Sequence, residues 1–310
     1  MRLFMRLLDT IKIGIHAIQQ NHHLGFAYFQ QRFVRVCHLI THINSHMTLT
    51  YVLTRPTIKY LTESRPKVTF KYLGNYLSLS LSRATRLAIL EHHYNALVNF
   101  VNKEFMENII DGQIVLWEEQ KGQDRYSIDL IFSDFDMEGD LSLVFKVNSL
   151  NIFIFSFIIA PGKLLNLRYE QVLFITRVQG VGRNFDLIKY ATKNLNEISP
   201  RTMLLVAVEA IATALGISGI AGICAKDQVS SVYFSSPEAQ LNDYDDYWEK
   251  HGGIKINDDV FDIPVPLPHK PLSMIKQNHR SRTKRKRRIK KEIAAQVCQT
   301  FVQKCLAHSG

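Results

Sequence analysis

What the chain lacks narrows its function first. Four cysteines, Cys37, Cys224, Cys298 and Cys305, contain no CxxC pair. Cys298 and Cys305, seven positions apart on an expected helix, would stand about 10.5 Å apart along its axis, outside disulfide reach. They read as buried or spectator thiols in a reducing compartment. Twelve histidines offer no metal-ligand spacing. His22-His23 and His92-His93 are chain neighbours that diverge by about 100° on a helix, so no stable metal site is expected. The longest apolar run, Ile152 to Ala160, is nine residues, against the roughly twenty that a spanning helix needs. It reads as a buried strand, and no transmembrane span is expected. Near the N-terminus, Asp9 and Lys12 interrupt what would be the apolar core of a signal peptide. The expectation is a cytoplasmic protein, peripheral to the inner membrane at most. No Pro-rich or Gly/Ser-rich linker divides the chain before residue 260, and no P-loop or comparable catalytic signature is present.

What is present is a concentration of positive charge. Ten lysines and arginines fall between Lys276 and Lys291 with no acid among them. The other 28 basic residues match the 28 acidic residues in number, so the formal charge of +10 belongs to this segment. A run of like charge repels itself and serves as an interaction arm toward a polyanion. Arg280, Arg282, Lys284, Arg285, Lys286, Arg287, Arg288, Lys290 and Lys291 are the candidate polyanion-binding residues. Charge alone does not choose between an anionic envelope component, a membrane surface and nucleic acid.

The remainder has the composition of a globular protein, 46% hydrophobic and 21% charged. Residues 3–18 place Leu3, Leu7, Ile11, Ile15 and Ile18 on one helical stripe. A second helix is expected from Phe26 to Ile43, followed by turns at Pro56 and Pro66. From Ser82, a candidate N-cap, one helix is expected through Leu87, Leu90, Tyr94, Leu97, Val101 and Phe105. Five β-branched and aromatic runs between Gln113 and Gln179, separated by short turns, predict an antiparallel meander. Two helices follow, Asn184–Asn196 and Pro200–Leu215, the second with Ser199 as N-cap and Gly216 as stop. Residues 219–225 then predict a strand of small residues. In the stretch from Asp243 to Glu249, a helix would bury Tyr244, Tyr247 and Trp248 and expose Asp245, Asp246 and Glu249. Four prolines in 260–271 predict an extended strap. Ile289, Ile293, Val297, Phe301 and Leu306 then predict a basic helix whose C-terminal half packs. The fold class is α+β, a helical N-terminal layer on a mainly antiparallel sheet covered on one face by helices. Its expected divisions are 1–80 helical, 81–259 α+β core, and 260–310 strap and basic helix.

Three stretches together, LSRATRLAILEHHY at 81–94, residues 191–222 and YDDYWEKHGG at 244–253, resemble the VirK/YbjX family of Gram-negative bacteria, known by a domain of unknown function. The resemblance covers most of the chain from about residue 50. It implies a virulence or envelope accessory factor. Such a factor supports expression or surface localisation of an outer-membrane virulence protein, and resistance to antimicrobial peptides. It carries over no catalytic residues.

One turn points to another class. Arg177, Gly180 and Gly182 spell R-x-x-G-x-G between a strand and a helix. That arrangement is similar to the pyrophosphate loop of GCN5-related N-acyltransferases, whose backbone N–H groups and helix N-terminus hold the phosphates of acyl-CoA. CoA or acyl-CoA is therefore the candidate cofactor of an alternative reading, a CoA-dependent acyltransferase acting on an envelope component or protein. A third reading, an RNA-binding post-transcriptional factor, draws on the basic segment.

Overall fold

The computed structural model describes residues 26–134, 137–182, 184–233 and 237–307; the amphipathic stripe at residues 3–18 lies outside them. The chain forms two compact units, Met1–Thr48 and Leu49–Gly310. In the first, helix α1 (Phe26–Thr41) ends where the Thr41 hydroxyl donates to the Cys37 carbonyl. Helix α2 (Ile43–Leu53) then carries the chain into the second unit.

The second unit is built on one eight-stranded sheet. Helix α3 (Pro56–Ser64), a 3-10 stretch (Pro66–Leu73), α4 (Arg83–Phe100) and α5 (Phe105–Ile110) precede it. Strands β1 (Ile114–Lys121), β2 (Asp124–Phe132), β3 (Leu141–Val147), β4 (Leu150–Pro161) and β5 (Gln171–Gly180) form the expected antiparallel meander. Helices α6 (Phe185–Asn194) and α7 (Pro200–Ala214) lead to β6 (Gly219–Ile223), which pairs parallel to β5. Helix α8 (Pro237–Lys250), strands β7 (Ile254–Lys255) and β8 (Val260–Pro264) and helix α9 (Gln277–Cys305) complete it. Strand order is β1-β2-β3-β4-β5-β6-β8-β7. Among the described residues the architecture is α+β with a single parallel pair.

Local chemistry explains most boundaries. Ser82 caps α4 and Ser199 caps α7, each side chain accepting an N–H three residues on, from Thr85 and Thr202. Gly216 takes a φ of +70° just beyond α7, a left-handed conformation in which glycine carries no Cβ penalty. The helix expected to run on through Val101 breaks there. Val101 is extended (φ −98°, ψ 154°) and bridges antiparallel to Leu306. Leaving the helix lets the Asn102 N–H reach the Cys305 carbonyl and the Ala307 N–H reach that of Phe100, which ties down the chain around Leu306. The extended stretch expected from Val260 begins as β8. There Pro264, which has no N–H to give, closes the pairing with β6 opposite Gly219.

Register sorts the sheet's side chains. Ile128, Leu130, Leu143, Phe145 and Phe155 share one apolar face, all fully buried. On the other lie Asp129, Ser142, Lys146 and Ser156, also shielded, with Lys146 Nζ 2.9 Å from Asp129 and the two serine hydroxyls bonded at 2.8 Å. The two serines satisfy each other, whereas the buried Asp129 carboxylate has the Lys146 ammonium as its ion-pair partner and leaves hydrogen-bonding capacity unmet. A second internal knot centres on Asp140. It accepts from Lys71 Nζ at 2.7 Å, from the Tyr76 hydroxyl at 2.9 Å and from the Tyr94 hydroxyl. Burial raises the Asp140 pKa, but Lys71 and the other donors outweigh it and hold the group below its ordinary value. The knot joins the 3-10 stretch, α4 and the loop before β3.

Candidate functional site

Helix α9 gathers all nine candidate polyanion-binding residues. Its C-terminal half is anchored: Ile293, Val297, Phe301 and Cys305 recur every fourth residue and are buried. This half packs on α7 and β1. The N-terminal half is a cationic cylinder that opposes its own formation. Arg280–Lys284, Lys284–Arg288 and Arg287–Lys291 are like-charged pairs one turn apart, each costing about 0.2–0.5 kcal/mol. The positive pole of the helix dipole lies at this same end, with no acid in the first turn. Both effects raise the potential that an anion would meet.

The cations divide by face. Arg280, Lys284, Arg288 and Lys291, at spacings of four, four and three, are exposed along one stripe, and Arg282 and Arg285 are exposed beside it. Two acids reach this half of the helix among the described residues. Glu197 pairs with Arg282 and, at 3.5 Å, with Lys286; Glu292 lies 3.6 Å from Arg288. Glu197 reaches because it and Asn196 both take left-handed backbone angles, φ 59° and 55°, turning the α6–α7 link toward α9. Arg280 donates to the Ile275 and Ser273 carbonyls and Arg287 to that of Lys270, which fastens the strap to the helix.

Behind the stripe, Lys286, Arg287 and Lys290 are half-buried. Arg287, Lys290 and Lys291 line a cleft of about 640 Å³ between α7, the strap and α9. Its floor is apolar, from Val206, Ala210, Ala294 and Cys298. Lys250, His251, His269 and Lys270 complete the rim, and Glu209 is the lone carboxylate of the lining. One Glu209 oxygen already accepts the Leu267 N–H at 2.7 Å. The ammonium of Lys290 is held below its ordinary pKa by burial, then by Lys286, with Arg287 adding and Glu209 opposing. Lys286 is lowered by burial and then by Arg282. Burial lowers His251 as well, helped by Lys290, Arg201 and Lys250. Burial is the leading cause of all three shifts, neighbouring positive charge adds to it, and for His251 the hydrogen bond to the Tyr247 carbonyl opposes it.

Arg177, Gly180 and Gly182 lie at the end of β5, where β5 and β6 part. Their parallel pairing covers three positions, Leu173–Ile220 to Ile175–Gly222, while β5 continues to Gly180. Beyond the pairing, the Tyr244 hydroxyl accepts the Val178 N–H at 3.0 Å and donates to the Val178 carbonyl. Arg177 turns to Glu138, 3.5 Å away, and its Nε donates to Gln179. Burial raises the Glu138 pKa, and the Ser230 N–H bonds its other oxygen at 2.7 Å. Gly180 pairs with Phe153 on β4, and Gly182 adopts φ +65° before α6. Tyr244, Tyr247 and Trp248 are buried on α8 as their spacing predicts and Asp246 and Glu249 are exposed, but Asp245, expected to be exposed, is half-buried because it accepts the Ala225 N–H at 2.9 Å.

Sequence reasoning found the charged helix but missed the other walls of its cleft. Glu209, Lys250, His251, His269 and Lys270 carry no local signal, since the strap must fold back over α7 before they meet. Among the described residues no cluster of His, Cys, Asp or Glu has the arrangement to hold a metal ion. No described helix is long and apolar enough to cross a membrane, and the four cysteines are free.

Among the described residues, a sheet with one parallel pair, an anchored cationic helix and a charged cleft define an α+β domain with one strongly cationic side. The family described as "Protein of unknown function (DUF535)" matches residues 22–299, and the chain belongs to it. "Uncharacterized protein YbjX" of Escherichia coli (strain K12) is 22% identical over 253 residues, 79% of this chain and 76% of that protein. These matches support the VirK/YbjX assignment. No solved structure matches the chain.

Proposed function

We propose that the protein is an accessory factor of the bacterial envelope that engages an anionic envelope component or membrane surface through α9. In that role it supports expression or display of an outer-membrane virulence protein and resistance to antimicrobial peptides. The observation that carries the reading is the exposed stripe of Arg280, Lys284, Arg288 and Lys291, with Arg285 beside it. A cationic face held on an anchored helix suits a flat anionic surface, where each basic side chain adds about 1 kcal/mol of attraction. Flotation of the purified chain with phosphatidylglycerol vesicles and with phosphatidylcholine vesicles tests it. Binding to the anionic vesicles alone, released as salt shortens the Debye length from about 10 Å at 0.1 M toward 3 Å at 1 M, is expected. Equal binding to both, or binding to RNA with none to vesicles, would overturn it, the latter in favour of a nucleic-acid role.

A second reading, a CoA-dependent acyltransferase acting on an envelope component or protein, draws on the short β5–β6 pairing beside Arg177, Gly180 and Gly182. In this reading the turn's N–H groups hold a pyrophosphate and the Tyr244 hydroxyl leaves Val178 to make room. CoA at a hundred times its dissociation constant should then add about 2.7 kcal/mol to stability, and Gly180→Val with Gly182→Val should remove that shift. An unchanged melting temperature at millimolar CoA would end this reading.

A further inference from the structure

Resting on the reading of α9 as an anion-binding element, we propose that the cleft between α7, the strap and α9 seats one phosphorylated single-chain amphiphile. Its phosphate would lie among Arg287, Lys290 and Lys291, and its chain along Ala294 and Cys298. The helix separates the two chemistries along its axis. Cations occupy 287–291, and small apolar residues occupy 294–298 on the next turns of the same wall. Val206 and Ala210 of α7 continue the apolar floor on the facing wall. A ligand that is anionic at one end and apolar at the other is the complement of that arrangement.

Charge sets the sign of the head group. Among the described residues, Lys290 has no carboxylate within ion-pair distance, and the cleft's single acid is engaged by the strap backbone. Burying an ammonium beside other cations is costly, and an incoming phosphate removes that cost while accepting charge-assisted hydrogen bonds. Size sets the rest. About 640 Å³ falls within the range of small-ligand sites and is too small to enclose a polymer or a patch of bilayer. Arg280, Lys284, Arg285 and Arg288 face surfaces and polymers; the cleft, which shares Lys291 with the exposed stripe, takes single molecules.

Isothermal titration of the full chain with dodecyl phosphate, kept below its critical micelle concentration, tests the proposal. Saturable binding of one ligand per chain is expected. Inorganic phosphate should bind at least about tenfold more weakly, a difference of about 1.4 kcal/mol, and uncharged dodecyl maltoside should not bind. Lys290→Ala with Lys291→Ala should weaken dodecyl phosphate at least about tenfold, and Ala294→Trp should exclude it by filling the apolar half. Thr213→Trp, at an exposed position of the facing wall, does the same should Ala294→Trp fail to fold. No binding by the wild type, equal binding of the maltoside, or binding indifferent to the filling variants would overturn the proposal. Vesicle flotation of Thr213→Trp reads the outer stripe separately. Dodecyl phosphate binding by the wild type, with flotation of neither the wild type nor Thr213→Trp, would sink the envelope-surface reading and leave this one standing.

Discussion

Replacing His93 by asparagine probes how the fold tolerates a fully buried imidazole. His93 sits on α4, and its Nδ1 accepts the Ile159 N–H at 3.2 Å. Burial, with His92 and Lys71 adding and Asp140 opposing, pushes its pKa from 6.5 down to about 4. The folded ring therefore holds a proton less tightly than the unfolded chain does. Its contribution to stability is complete above pH 6.5 and is lost as pH falls toward about 4. At about 1.36 kcal/mol per pH unit, about 2.7 kcal/mol is gone by pH ~4.5. Asparagine places an oxygen acceptor near the position of Nδ1 but does not titrate. Ionisable groups that do not interact with His93, such as Asp227, which burial and then Asp259 raise to about 6, are present in both proteins and cancel in the comparison. Urea unfolding at about pH 7.5 and about pH 4.5 should show the wild type's advantage over His93→Asn shrinking by about 2.7 kcal/mol. An advantage of the same size at both pH values would refute a neutral, desolvated imidazole.

Two further substitutions test the packing beside β6. At Gly222 a Cβ would lie 2.6 Å from the Trp248 ring, and Trp248 is fully buried with its Nε1–H on the Ile223 carbonyl at 2.9 Å. Gly222→Val should therefore cost at least about 1–3 kcal/mol by overpacking, read by urea unfolding; wild-type stability would contradict the close approach. Tyr244→Phe removes both hydroxyl contacts to Val178 and should cost about 1–3 kcal/mol, with faster hydrogen exchange at the Val178 amide. Unchanged protection there would show that the hydroxyl does not hold the strand.

The parts of the fold legible in the sequence are those set by local chemistry. The meander declared itself through β-branched runs between short turns. Ser82, Ser199 and Gly216 marked helix ends because capping and left-handed turns favour those residue types wherever they occur. Tyr244, Tyr247 and Trp248 announced a buried face by spacing alone. The break at Val101 was hidden, since apolar residues keep their spacing of three and four through it, and the bridge to Leu306 that accompanies it is 205 residues away. Strand β8 was masked by the prolines that follow it. At the site, the charge of α9 was plain, but which cations face the cleft depends on how Ile293, Val297 and Phe301 dock. The Tyr244 contact to Val178 spans 66 residues, a relation that no spacing rule reaches.

The central claim, that the exposed cationic stripe of α9 binds an anionic envelope surface, is tested most directly by one affinity comparison. Phosphatidylglycerol vesicles would be titrated against the wild type and against a variant with Arg280, Lys284, Arg285 and Arg288 all changed to Gln. None of these four lines the cleft. At about 1 kcal/mol per cation near the surface, the variant should bind about 4 kcal/mol more weakly, close to a thousandfold, and the wild type should lose affinity steeply as salt is raised. A variant that binds within about threefold of the wild type, less than about 0.7 kcal/mol, would contradict the claim.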